Sequence, residues 1–281
     1  MSNLQQTVKA PVTITGIGLH TGETVTLVIC PAPENHGYVF QRTDIDGEPT
    51  IKADVDLVSG TERGTTLTQN GASVHTTEHL LAALYALEID NALIQLNGPE
   101  IPIMDGSAKA FWDAIEAVGI ETQTKECEYF TLEENLAFED PEKGVEMLAV
   151  PTPGGEYRVT VMVDYKSPVL GTQHASMYQL EDFKKEIAAC RTFCFLREVE
   201  YLAEKGLIKG GDLSNAIVLV ERSEVSEEEL DRLAKLTGKD KLSVNFDGIG
   251  VVNSTKLLFE NEPARHKLLD IVGDLALLGK R

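Results

Sequence analysis

Apolar and polar residues alternate through three segments near the N-terminus, VTITGIGLH, ETVTLVIC and YVFQRT, each bounded by Gly, Pro, Asn or Asp. Period-two alternation with such boundaries is the pattern of half-buried strands, and the order of the three predicts an antiparallel meander. In TTLTQNGASVH, Asn70-Gly71 lies between two β-type runs, a strong signal for a two-residue type I′ hairpin because both residues accept positive φ. The period then changes: residues 76–88 (TTEHLLAALYALE) carry apolar side chains at helical spacing, and 91–97 (NALIQLN) return to a strand. A second helix is predicted from Ser107 to about Val118, with the serine as N-cap and Gly119 past its end.

The polar stretch 121–126 is the predicted boundary between two domains, residues 1–124 and 125–281. Beyond it the order of strands followed by helices repeats. Strands are expected from Tyr129 through GVEMLAV and YRVTVMVDY, and helices near 180–189, 197–205 and 263–278, the last with Pro263 in its first turn and Gly279 at its end. SEEELDRLAKL, residues 226–236, has a capping box from Ser226 to Glu229 and reads as a solvated acidic helix. The expected fold class is therefore α+β.

Length and composition narrow the function. A chain of 281 residues, 42% hydrophobic, buries a sizeable core without disulfide or metal support for folding. No run of 18 apolar residues could span a bilayer, and MSNLQQTVKAP lacks the apolar stretch of a signal peptide, so no transmembrane segment and a cytoplasmic location are expected. Cys30, Cys127, Cys190 and Cys194 form no CxxC pair and are expected as thiols, the last two packing rather than ligating. A net charge of −20 excludes a nucleic-acid groove, which needs clustered Lys and Arg. An anionic small molecule would need a local basic patch.

Two constellations carry chemistry. His75-Thr-Thr-Glu78-His79 matches the H-x-x-E-H pattern of inverted zinc peptidases, in which two histidines one helical turn apart bind zinc and the glutamate is the base. A helix start with both histidines merely packed is the plainer reading. In the second, His266, Asp270 and Asp274 recur every four residues and so stack on one helix face, where a histidine and a carboxylate one turn apart can share a metal ion. An exposed polar stripe opposite Leu268, Leu269, Ile271 and Val272 would look the same. Taken together the clusters supply two histidines and an aspartate, and hydrolytic zinc wants three protein ligands with one position open. His20, in the turn-rich GIGLHTG loop, is the other histidine placed to line a site.

GIGLHTG, TTEHLLAAL, IDNALIQLNGPEIPIMDGSA, RTFCF and ARHKLLDIVGDLALLG, in that order from Gly16 to Gly279, closely resemble the UDP-3-O-acyl-N-acetylglucosamine deacetylases of lipid A synthesis. The resemblance implies two domains of similar topology, each a two-layer α/β sandwich with a mostly antiparallel sheet, and an active site between them. It implies zinc held by His79, His266 and Asp270, with Glu78 as general base. His75 then has no ligand role. It also implies that Thr192 polarises the substrate carbonyl, that Lys267 stands beside the metal, and that Asp274 orients the general acid. Leu19, His20, Phe193, Phe195, Glu198 and Gly211 fall on substrate-binding positions, with the UDP-sugar lipid as partner.

In one respect the sequence departs from that family. Family members carry a histidine in a Gly-His pair on a strand after the last helix, and no histidine follows Asp274 here. The expectation is a chain truncated at its C-terminus, lacking that strand and a helix and belonging to a fusion with a hydroxyacyl-carrier-protein dehydratase, which binds zinc but turns over poorly. The alternative is that Glu78 itself serves as acid. Residues 225–241 look like an insertion and carry no assigned function.

Overall fold

Strand alternation builds a five-stranded sheet in the first half of the computed structural model, which describes residues 3–152, 154–167, 170–205, 208–221, 225–236, 241–245, 250–252 and 256–281. The strand order is Val12–Ile17, Thr24–Pro31, Ala92–Leu96, Tyr38–Arg42 and Thr50–Lys52. This corrects the expected meander, because Ala92–Leu96 enters between the second and third strands and runs parallel to Tyr38–Arg42. The cause lies in helix α1, Glu78–Ala86, every residue of which is buried. A helix buried along its whole length must be covered on all sides, and the strand that leaves it returns to the middle of the sheet rather than to an edge.

The Asn70-Gly71 turn has φ of 53° and 75° and closes the hairpin of Thr66–Gln69 with Ala72–Val74, as the sequence predicts. Helix α1 starts two residues later than its apolar pattern, because Thr76 sits at φ 58° and turns the chain first. Helix α2, Lys109–Val118, starts later than expected, with Ala108 rather than Ser107 at its N-cap and the Ser107 hydroxyl accepting the Lys109 N–H at 3.1 Å in the turn before it, and ends at Gly119 with φ 84°. The polar stretch read as a boundary is a strand, Ile120–Glu126, paired antiparallel with Leu4–Val8.

In the second half, Leu136–Asp140 pairs with Val145–Ala149 and Val159–Asp164 with Thr172–Met177, both antiparallel. A four-stranded sheet follows in the order Phe193–Phe195, Ile217–Val220, Gly250–Val252, Val244–Asn245, its first pair parallel and the others antiparallel. Of the predicted helices, 180–189 resolves into a 3₁₀ turn, Leu180–Asp182, and a short α3, Phe183–Glu186. Helices α4, Leu196–Glu204, and α5, Glu227–Leu236, stand near their expected bounds. Residues 237–240 of the insertion lie outside the described residues. The chain is thus mixed α+β with mostly antiparallel sheets, and among the described residues no helix is long and apolar enough to cross a membrane.

Helix α6, Glu262–Leu275, positions the site. It carries Pro263 in its first turn, and its Leu268, Leu269 and Val272 join Leu80, Leu81 and Leu84 of α1 in one buried core. The two helices touch through backbone at Gly273, where any Cβ would collide with the Glu78 carbonyl. Glycine is therefore required at that crossing, and the crossing brings the first turn of α1 against the polar face of α6.

Candidate metal centre

Helical spacing alone sets His266 and Asp270 one turn apart on α6, and the α1–α6 crossing adds His79 from the other half of the chain. Their ligand atoms lie within 4.8 Å of one another. The Asp270 Oδ1 is 3.4 Å from His266 Nε2 and 3.6 Å from His79 Nε2, and it is a buried oxygen with no hydrogen-bond partner. Ligand bonds of 2.0–2.1 Å in a tetrahedron separate neighbouring donors by about 3.4 Å. The spacing, the orphaned oxygen and the two-nitrogen, one-oxygen donor set all fit a zinc ion.

The surroundings prepare these donors. A backbone carbonyl can only accept, so the 3.0 Å contact between His266 Nδ1 and the Cys190 carbonyl places the ring hydrogen on Nδ1 and leaves the Nε2 lone pair facing the cluster. Burial pushes His266 down to about 3 against the pull of Asp270, so the ring is neutral at pH 7, as a ligand must be. Burial opposes ionisation of Asp270, yet His266, Lys267 and His79 hold its carboxyl far below the usual range. His79 is also buried, which lowers its pKa, but the Asp270 and Glu78 carboxylates outweigh this and raise it. The carboxylates around His79 thus favour positive charge where the three donors converge.

Glu78 opens α1 beside His79. Its Oε2 accepts the Thr65 N–H at 2.9 Å, and burial pushes it up to about 7, with His79 opposing and Asp270 adding to the rise. Gly64 passes so close that a Cβ there would stand 3.1 Å from Glu78 Oε1. The Thr65 hydroxyl donates to Asp274 Oδ1 at 2.7 Å. Lys267 Nζ bonds Asp270 Oδ2 at 2.8 Å, which raises its pKa, and lies over the Phe193 ring. Thr192 is fixed at the cavity wall by its N–H donating to the Gly106 carbonyl at 2.7 Å and by the Ile217 N–H donating to its own carbonyl at 2.9 Å.

A cavity of about 630 Å³ opens over this group. Leu19, His20, Thr192, Phe193, Gly211, Lys267 and Asp274 line it together with Glu78, His79, His266 and Asp270, and Val145, Val161 and Val163 add an apolar wall. Two expected substrate contacts lie behind the wall instead. Phe195 packs edge-on against Tyr165 and Phe193, and Glu198 accepts the Phe195 N–H at 3.3 Å. Glu198 pairs with Arg63, 3.4 Å away, which is part of the lining. His75 stands apart from the metal group, its Nδ1 3.0 Å from the Thr66 hydroxyl. Sequence reasoning missed Thr65, Arg63 and the Cys190 carbonyl; nothing local distinguishes a lone threonine or a backbone oxygen, whereas Arg63 was open to a search for cations near the site.

The family profile described as UDP-3-O-acyl N-acetylglycosamine deacetylase matches residues 5–235 and 232–281 of the chain. Among curated proteins, the bifunctional enzyme LpxC/FabZ of Chlorobaculum tepidum is 49% identical over 98% of this chain and 58% of its own length. The bifunctional enzyme LpxC/FabZ of Bacteroides thetaiotaomicron is 47% identical, again over 98% of this chain and 59% of its own. The UDP-3-O-acyl-N-acetylglucosamine deacetylase of Syntrophotalea carbinolica is 38% identical over 99% of this chain and 80% of its own. The chain thus spans somewhat over half the length of the bifunctional relatives it matches.

Proposed function

The chain belongs to the UDP-3-O-acyl N-acetylglycosamine deacetylase family, and from that premise we propose that it hydrolyses the N-acetyl group of UDP-3-O-(3-hydroxyacyl)-N-acetylglucosamine, releasing acetate. The observation that carries the reading is the meeting of His79, His266 and Asp270 next to a buried glutamate in an open cavity. A purely structural metal site has no use for an adjacent base. His79, His266 and Asp270 would hold the zinc ion. When bound, zinc supplies a Lewis acid for the acetyl carbonyl and lowers the pKa of water towards neutrality.

Glu78 takes the proton of the attacking water and returns it to the leaving amine. The Thr65 N–H keeps the Glu78 carboxylate aimed into the cavity. The Thr192 hydroxyl and the Lys267 ammonium donate to the acetyl oxygen as negative charge gathers there; a well-placed donor of this kind is worth roughly 3 kcal/mol. Lys267 and Arg63 supply positive charge for a diphosphate against the acidic background. Leu19, Phe193 and the valine wall accommodate the acyl chain, His20 and Gly211 touch the sugar nucleotide, and Phe195 and Glu198 support that wall from behind. Asp274, which accepts the Thr65 hydroxyl at the cavity wall, is the carboxylate that the family resemblance places behind the general acid.

Residues 1–124 and 125–281 are read as two domains of similar topology, each a two-layer α/β sandwich, with the site between them, a reading supported by the origin of the ligands on α1 and α6. Similarity to relatives named as bifunctional supports a dehydratase partner for this activity. The test is release of acetate from a UDP-N-acetylglucosamine bearing a 3-O-hydroxyacyl chain, before and after a chelator and then with added zinc. Activity is expected to vanish and return. Turnover that persists through chelation overturns the reading.

A further inference from the structure

Glu100 is fully buried, is 22 positions from Glu78 in sequence and plays no part in the chemistry above, yet its carboxylate collects the donors of two separate segments. Its Oε1 accepts the His20 N–H at 3.0 Å and the Thr76 hydroxyl at 3.1 Å. Its Oε2 accepts the Thr21 N–H and the Thr21 hydroxyl, each at 2.9 Å. These contacts give the buried carboxylate two backbone and two hydroxyl donors, which satisfy both of its oxygens away from water.

Each segment it holds needs holding. The loop bearing Leu19 and His20 closes on Glu100 so tightly that a Cβ at Gly18 would run into both Thr21 Oγ1 and Glu100 Oε2. Thr76 lies at φ 58°, a left-handed conformation that is a genuine outlier for a β-branched residue and costs free energy unless its surroundings impose it. The backbone is clamped there as well, with His75 N–H donating to the Pro99 carbonyl at 2.8 Å and Ile101 N–H to the His75 carbonyl at 3.1 Å. Two residues after Thr76 the chain enters α1 with Glu78 and His79.

We infer that Glu100 is a positioning residue, which ties the substrate-facing loop at Leu19–His20 to the left-handed turn that aims Glu78. The inference rests on the deacetylase reading for its kinetic consequence, while the tie itself is physical and can be read without turnover. An uncharged amide of the same shape cannot replace it, because either orientation of a glutamine sets an NH₂ against a backbone N–H of His20 or Thr21.

Glu100→Gln is therefore expected to lower kcat roughly 10- to 100-fold, the range for a lost supporting contact or a small misplacement of reacting groups, with a smaller change in KM and an unchanged zinc content. Hydrogen exchange at the His20 and Thr21 amides is expected to accelerate in the same variant. A second pair separates positioning from general damage: Thr76→Ser keeps the hydroxyl that Glu100 accepts, whereas Thr76→Val keeps the β-branched shape and loses it, so the valine variant loses more kcat than the serine one. Wild-type kcat and wild-type exchange in Glu100→Gln would overturn the inference. Equal losses at Thr76→Ser and Thr76→Val would do the same, and that pair decides the matter if Glu100→Gln does not fold. A wild-type protein without deacetylase turnover would sink the functional reading alone, leaving the tie to be judged by amide exchange.

Discussion

The hydroxyl of Thr65 donates to the Asp274 carboxylate across 2.7 Å, joining residues 209 positions apart in the chain. The same residue offers its backbone N–H to Glu78, so one threonine spans the base on α1 and the carboxylate on the last turns of α6. Thr65→Val keeps the backbone donor and removes only the hydroxyl. Asp274 remains open to the solvent of the cavity, which limits the energy at stake to that of an ordinary hydrogen bond. A loss of about 0.5–1.5 kcal/mol in unfolding free energy is expected. Zinc content should be unaffected, since neither Thr65 nor Asp274 belongs to the metal group. Denaturant unfolding alongside metal analysis checks both, and loss of zinc would show that the bridge holds the metal rather than the base.

The four thiols give a prediction in pH. Burial raises all four: Cys127 to about 11, Cys190 and Cys194 to about 12, and Cys30 by a smaller step. A thiol reacts as its thiolate, so a raised pKa lowers reactivity at a given pH and makes it climb about tenfold per pH unit up to that pKa. At pH 8 a group with a pKa of about 12 is roughly 10⁻⁴ ionised, against about a quarter for an ordinary cysteine near 8.5. Native protein treated with iodoacetamide at pH 8 should leave Cys190, which is wholly buried, and Cys194 unmodified by mass spectrometry, and denaturant should expose all four. Labelling of native Cys190 at the rate of a free thiol would contradict its place behind His266.

What could be read from the sequence was what is local. His266 and Asp270 are one helical turn apart and their side chains meet because of that spacing alone. The Asn70-Gly71 turn and the glycine end of α2 follow from which residues tolerate positive φ. Long-range partners carry no such mark: Thr65 with Asp274, or Glu100 with His20 and Thr76, are brought together only by the fold. The placement of Ala92–Leu96 at the middle of the sheet was hidden for the same reason, since alternation gives a strand but not its neighbours. The start of α1 was misjudged because threonine at positive φ is a tertiary effect, imposed by Glu100 and the Pro99–Ile101 backbone against the preference of the residue.

Removing His75 or His266 separates the two zinc readings of the sequence. The H-x-x-E-H pattern makes His75 a ligand and leaves His266 a bystander. In the fold the roles are reversed: His266 Nε2 lies 3.4 Å from Asp270 Oδ1, whereas His75 is engaged with the Thr66 hydroxyl and stands outside the group of donors. His266→Ala leaves two ligands and should weaken zinc binding by more than roughly 100-fold, beyond the 10- to 100-fold typical of losing a supporting contact. His75→Ala should retain zinc and most of the deacetylase rate, at a cost in stability of about 1 kcal/mol for the lost hydrogen bond. Zinc titration against a competing chelator measures the first and thermal unfolding the second. Loss of zinc from His75→Ala with retention in His266→Ala would restore the peptidase assignment.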